Sequence, residues 1–161
     1  MSARVKLLLP VLGSMAFSAC VGSAPSRDGS RRVSRIVPPQ AKAVVRTAKT
    51  YLPEEEKTRP TPKDCSDFVY KVFSEHALKL PRTAVEMSLS GSRVASSKDL
   101  RMGDLVFFSG AKVSRAVGHV GIYVNNGIFI HLSKPDAGVS MESLYSDYYR
   151  QRYLTARRVF P

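Results

Sequence analysis

Among the 161 residues of this chain, two cysteines and three histidines carry the side chains best suited to nucleophilic and proton-transfer chemistry. Cys65 heads the amphipathic stretch KDCSDFVYKVF, and Cys20 closes an apolar N-terminal segment. A thiol attacks only as thiolate, and a free pKa of about 8.5 leaves little thiolate at neutral pH. A helix N-terminus and a nearby imidazole would both lower it. Asp64 is a good N-cap and Asp67 resembles the acid of a capping box, which places Cys65 at the first helical position, among unpaired N–H groups and the positive end of the dipole. The same backbone N–H groups, those of Cys65 and Ser66, could hold an oxyanion. His76 falls late in the cysteine's own helix, more than two turns away, and reads as a solvated surface residue. His119 opens GHVGIYV and His131 ends GIFIHL, each interrupting an aliphatic alternation. A lone free cysteine is most often a small core hydrophobe. A helix-head cysteine followed by two strand histidines points instead to a thiol nucleophile with an imidazole base.

The elements that must position these groups follow from periodicity. Ala41, Val44, Val45, Ala48 and Leu52 recur at helical spacing from Pro39, and the run stops at Pro53. A polar loop, EEEKTRPTPK, leads to the cysteine helix, whose stripe is Cys65, Phe68, Val69, Val72, Phe73 and Ala77. Thr83 with Glu86 signals a short third helix that reaches Gly91. After residue 100 the period becomes two, with strands LVFF, HVGIYV, IFIHL and VSM, then a short helix around Glu142 to Tyr149 and a last strand near Tyr153 to Val159. Helices first and an antiparallel meander second predict an α+β fold with helices packed on one face of the sheet.

The segment MSARVKLLLPVLGSMAFSAC reads as an export signal over residues 1–19: Arg4 and Lys6 lead, an apolar run follows, and Ser18 and Ala19 precede the cut. The apolar run is short for a bilayer span, which needs roughly 20 residues. A cysteine directly after small residues resembles a bacterial lipoprotein signal, in which Cys20 is lipidated; an ordinary secretory cut nearby is the alternative, and Phe17 departs from the leucine usual at its position. With Cys20 acylated, Cys65 has no disulfide partner. Residues 20–38, rich in Ser, Arg, Gly and Pro, read as a flexible basic tether, and 39–161 as one domain. The formal charge is +12; removal of residues 1–19 takes two of 25 basic residues and none of 13 acidic ones, leaving +10. An exported surface of that sign is drawn to anionic wall polymer and lipid head groups rather than to nucleic acid.

Taken in order, DCSDFVYKVF, LPRT, LRMGDLVFF, GHVGIYVNNG and IHLS resemble the NlpC-type cell-wall cysteine peptidases, which have a small papain-like fold; the resemblance runs from about Ala41 to Val159. It implies Cys65 as nucleophile, His119 as general base and then acid, and His131 as the residue that orients His119. It implies hydrolysis of peptidoglycan stem or cross-link peptides, commonly next to D-γ-glutamyl, with no metal and no cofactor. The implied setting is the cell envelope, the chain acting as a monomer anchored through its N-terminal lipid. In a cell with two membranes, Val21 after Cys20 implies the outer membrane, facing the periplasm. Two features depart from the family: Asp67 stands where glycine is usual, and LPEEEKTRPTPK replaces a Pro-Tyr…Gly-Gly stretch. Tyr51 is a poor substitute for that tyrosine because it falls in the preceding helix. The alternative reading is a catalytically weak peptidoglycan-binding envelope lipoprotein. An acyl- or lipid-modifying enzyme on a permuted relative of the fold places its histidine before its cysteine, the reverse of the order here.

The hairpin HVGIYVNNGIFIHL has two possible registers. A two-residue Asn126-Gly127 turn pairs Ile122 with His131 and puts the histidines on opposite faces. A three-residue loop, Asn125 to Gly127, pairs Val124 with Ile128, Ile122 with Ile130 and Val120 with Leu132, gathering the aliphatics on one face and His119, Gly121, Tyr123, Phe129 and His131 on the other. The second is expected, with His131 close enough to hydrogen-bond His119 and the other His119 nitrogen directed at Cys65.

Overall fold

The computed structural model describes residues 37–53, 59–134 and 136–160. The residues read as an export signal and nearly all of those read as a tether, Cys20 included, lie outside the described residues. Helix α1 (Pro39–Lys49) starts on a proline at a position where the missing N–H costs nothing, and it buries Ala41, Val44, Val45 and Ala48. It stops at Thr50, three residues before Pro53, so Tyr51 and Leu52 belong to the following turn rather than to the helix. Helix α2 (Cys65–Ser74) begins where the sequence places it: Asp64 is extended, and its carboxylate accepts the Asp67 N–H at 2.7 Å. The cap contributes about 1 kcal/mol. Burying Phe68, Val69, Val72 and Phe73 contributes on the order of 2 kcal/mol each. Packing therefore holds the helix, and the cap decides at which residue it starts.

The C-terminus of α2 differs from expectation. Ala77 is exposed with φ at 60°, the Leu78 N–H donates to the Phe73 carbonyl at 3.1 Å, and the helix ends at Ser74. This left-handed reversal removes Ala77 from the stripe. His76 lies past the helix end, half-buried, with Nε2 2.9 Å from the Thr47 hydroxyl, so it joins α2 to α1 instead of standing in solvent. Helix α3 (Ala84–Met87) is capped by Thr83 as expected but closes well before Gly91.

Six strands follow: β1 (Ser92–Val94), β2 (Leu105–Ser109), β3 (Val117–Asn125), β4 (Ile128–Lys134), β5 (Gly138–Ser143) and, after helix α4 (Asp147–Arg152), β6 (Tyr153–Arg158). They form one antiparallel sheet in the order β1-β6-β2-β3-β4-β5. The meander is confined to β2–β5; β6 returns to pair with β2, and β1 was not foreseen because three residues are too few for a period. Glu142 and Ser143 end β5, which moves the last helix to Asp147–Arg152. Leu105, Phe107, Val120, Ile122, Val124, Ile130 and Leu132 join the buried residues of α1 and α2 in one core. Val106, Phe108, Tyr123, Phe129 and Ala156 form a smaller cluster on the opposite face. The period of two thus assigns alternate residues to two cores.

The β3–β4 hairpin combines features of both registers. Asn125 pairs with Ile128, and Asn126 and Gly127 both have positive φ, 51° and 77°: a two-residue turn of the type whose twist suits a hairpin. Val124 is the extra residue of a bulge, after which Tyr123 pairs with Phe129 and Ile122 with Ile130. The expected three-residue loop and the Val124–Ile128 pair are therefore corrected, and so is the Val120–Leu132 pair, because residue pairing of β3 with β4 ends at Ile122 and Ile130. The expected sidedness holds, because the bulge inserts the one residue needed to return the aliphatics to the main core.

Candidate active site

Cys65 occupies the first residue of α2 and is partly exposed, with its sulfur against the start of β3. The Val120 backbone N–H, next in the chain after His119, faces the thiol and, with the N–H groups of Ser66 and Cys65 itself, favours its anion. The sheet geometry explains how the helix head reaches this point. Residue pairing of β3 with β4 runs from Asn125 to Ile122 and ends there, while β3 continues along β2 through Gly121, Val120 and His119. The Val120 N–H is thereby left for the sulfur.

Across the opening, His119 Nε2 lies 2.7 Å from His131 Nδ1, the rings edge to face. Gly121 makes this approach possible: a Cβ there would lie 2.7 Å from the Phe129 ring and 3.3 Å from the His131 Cβ. His131 is fully buried, and its Nε2 lies 3.2 Å from the Tyr149 hydroxyl and 3.4 Å from that of Ser140. Phe108, Phe129 and Tyr149 enclose the pair; Phe108 packs on the His119 ring, Phe129 and Tyr149 on that of His131. With Nε2 engaged, Nδ1 is the His119 nitrogen available to a proton donor.

Burial is the largest influence on the charge of all three groups. It pushes the Cys65 thiol up, with the nearby Asp64 charge acting the same way, and outweighs the helix-head N–H groups that pull it down. It pushes His119 down to about 4 and, with the neighbouring His119, His131 down to about 3. Burial thus opposes the thiolate that the helix terminus favours, and it favours the neutral form of both imidazoles. Such a site suits general-base transfer of the thiol proton as the sulfur attacks. Asp67 takes no part: its carboxylate accepts the Lys63 N–H at 2.8 Å and faces Lys71 and Arg82, at 3.1 and 3.5 Å. Tyr51 sets its ring edge-on to Phe68, but its hydroxyl leans toward Glu75, just past the far end of α2 and away from Cys65. Among the described residues no cluster of three or more His, Cys, Asp or Glu side chains is gathered as a metal site requires.

Val120, Tyr149 and Ser140 escaped the sequence reading. A backbone N–H leaves no compositional mark, and Tyr149 and Ser140 come from elements whose packing on the histidine face no local pattern reveals.

A thiol at the head of a helix packed on an antiparallel sheet whose neighbouring strands carry a histidine pair defines the papain-like α+β class. Residues 56–158 match the model of the NlpC/P60 family, and the chain belongs to that family. It is 43% identical over 97 residues to the murein DD-endopeptidase MepS/murein LD-carboxypeptidase of Escherichia coli K12, a match covering 60% of this chain and 49% of that protein. It is 38% identical over 96 residues to the bifunctional muramidase/DL-endopeptidase CwlT of Bacillus subtilis 168, covering 60% and 28%. The chain thus spans about half the length of the first of these relatives and less of the second. The crystal structure of an NlpC/P60 family protein from Bacillus cereus ATCC 10987 superposes with a TM-score of 0.65 at 27% identity, over 75% of this chain and 40% of that one.

Proposed function

We propose that this protein is an envelope thiol peptidase that hydrolyses peptide bonds of peptidoglycan. The observation that carries the reading is the His119–His131 pair at 2.7 Å, with the helix-head thiol facing the backbone N–H of Val120, the residue after His119. The relatives named murein DD-endopeptidase and DL-endopeptidase support the substrate class. As Cys65 Sγ attacks the amide carbon, its proton passes to His119 Nδ1. The Cys65 and Ser66 N–H groups hold the developing oxyanion. The imidazolium then gives that proton to the amide nitrogen; the C–N bond breaks, the amine leaves and a thioester remains. A water attacks the thioester carbon with His119 taking its proton, and the Cys65 sulfur departs and is reprotonated.

The bond proposed is the one next to D-γ-glutamyl; a D,D cross-link, as named for the E. coli relative, is the competing target. The anchor proposed is an acylated Cys20 after removal of residues 1–19, with 20–38 as tether and the outer membrane as the site of attachment. Digestion of purified sacculi with fragment masses tests the first part. Release of peptide fragments by the parent and none by Cys65→Ala is expected, and the fragment masses separate the two bonds. A Cys65→Ala protein that digests as well as the parent removes the mechanism, and no digestion by either favours a wall-binding role. Mass spectrometry of the mature N-terminus tests the anchor; an unmodified terminus further along the chain removes it.

A further inference from the structure

We propose that the Tyr149 hydroxyl is a positioning group for catalysis, holding His131 in the one protonation pattern that lets His119 carry a proton; the inference rests on the thiol–imidazole chemistry proposed above. His131 is fully buried, so both ring nitrogens must find partners within the protein. Nδ1 meets His119 Nε2 at 2.7 Å, and Nε2 meets Tyr149 Oη at 3.2 Å and, less closely, Ser140 Oγ at 3.4 Å. At rest either neutral tautomer can be satisfied, because a hydroxyl rotates to donate or accept. The reacting state removes that freedom. Once His119 has taken the thiol proton, both of its nitrogens are donors. His131 Nδ1 must then accept from His119 Nε2, which puts the remaining His131 hydrogen on Nε2. That N–H, buried, requires an acceptor oxygen.

Tyr149 is fitted to supply it. Its ring stands edge-on to Phe108, Phe129 and His131 at centroid separations of 5.2, 4.9 and 5.4 Å, which locks the direction of the hydroxyl. Burial pushes the phenol up to about 12, so it remains a neutral hydroxyl with lone pairs to offer. Ser140, on the neighbouring strand β5, is the secondary partner.

Tyr149→Phe keeps the ring and deletes only the acceptor, which separates this role from packing. The rate of Cys65 alkylation by iodoacetamide, followed on the Cys65 peptide by mass spectrometry in the full chain, reads transfer of the thiol proton without any assumption about substrate. A buried N–H left unpaired corresponds to roughly tenfold or more in a step that requires it. Tyr149→Phe is therefore expected to slow alkylation about tenfold, to lower kcat on soluble cross-linked muropeptides by a similar factor with KM nearly unchanged, and to leave the denaturation midpoint near that of the parent. Adding Ser140→Ala deepens the loss. In the parent, nitrogen-15 NMR of labelled histidines should show the His131 Nε2 resonance move toward the protonated range when the thiol is alkylated and His119 is then charged with acid. Alkylation and kcat at parental values in Tyr149→Phe, with loss only in Tyr149→Ala, reduce Tyr149 to packing and overturn the proposal. A His119→Ala protein that alkylates at the parental rate overturns instead the underlying thiol–imidazole reading, so the two failures are distinguishable.

Discussion

Burial works against charge on the thiol and imidazoles of this site, and that has a consequence for stability. Burial pushes His119 and His131 from the ordinary value of 6.5 down to about 4 and about 3 in the folded chain. As pH falls below 6.5 the unfolded chain binds protons that the folded chain refuses, so the stability conferred by these histidines is complete above that pH and declines as pH falls through the interval down to 4 and then 3. At pH 5 the loss is at most about 2 kcal/mol for each histidine. Asp64 and Asp67, both held below the ordinary carboxylate value, lose their contribution only at lower pH, below about 4. The urea midpoint is therefore expected to drop between pH 7 and pH 5, and to drop less in His131→Asn. A parent midpoint that is flat over that range contradicts the burial of the pair. The charge state itself was not legible in the sequence. The helix-head position of Cys65 correctly signals N–H groups around the sulfur, but how much water surrounds it depends on which strands close over it.

At the scale of elements, the hairpin and the strand opening beside it carry the site. The alternation in HVGIYV and IFIHL was enough to assign His119 and His131 to one face, since a one-residue slip would bury a histidine among aliphatics. The turn was misread, because Asn126-Gly127 does form the tight turn its composition advertises while a bulge at Val124 absorbs the extra residue. A bulge has no sequence signature of its own; it appears only when a favoured turn and a required burial pattern disagree by one. Gly121, between these strands, admits the close approach of His131. A methyl group there meets the Phe129 ring and the Ile130 carbonyl, at 2.7 and 3.1 Å. Gly121→Ala should destabilise by on the order of 1–3 kcal/mol and, by prising β4 from β3, lower hydrolysis well beyond what that instability explains. The measurement pairs a denaturation curve with activity well below the midpoint; parental values in both would show that the neighbours yield freely.

Across the whole molecule, the position of β6 closes the fold. Asp104, almost fully buried at the start of β2, receives Arg158 of β6 through Nε at 2.9 Å and Nη2 at 2.7 Å, and also accepts the Arg101 N–H. Removing one member of such a pair leaves a buried charge without its partner. Arg158→Leu should therefore cost about 3 kcal/mol, and Asp104→Asn added to it should recover part of that by deleting the stranded charge. Equal midpoints for the parent and Arg158→Leu would deny the lock any role. The same return of the chain through α4 and β6 brings Tyr149 onto the histidine face.

The sequence by itself determined where the cysteine helix starts, that Cys65 heads it, that both histidines share a face, and the α+β order. These features rest on periods of 3.6 and two and on an N-cap, interactions that reach only a few residues along the chain. The tertiary structure alone decided the bulge at Val124, the early end of α2 at Ser74, the pairing of β6 with β2, the contact of Tyr149 with His131, and the burial that disfavours charge on the thiol and imidazoles. Each of these depends on which distant segments exclude water from a given atom, and burial of that kind is a property of packed elements that no local pattern records.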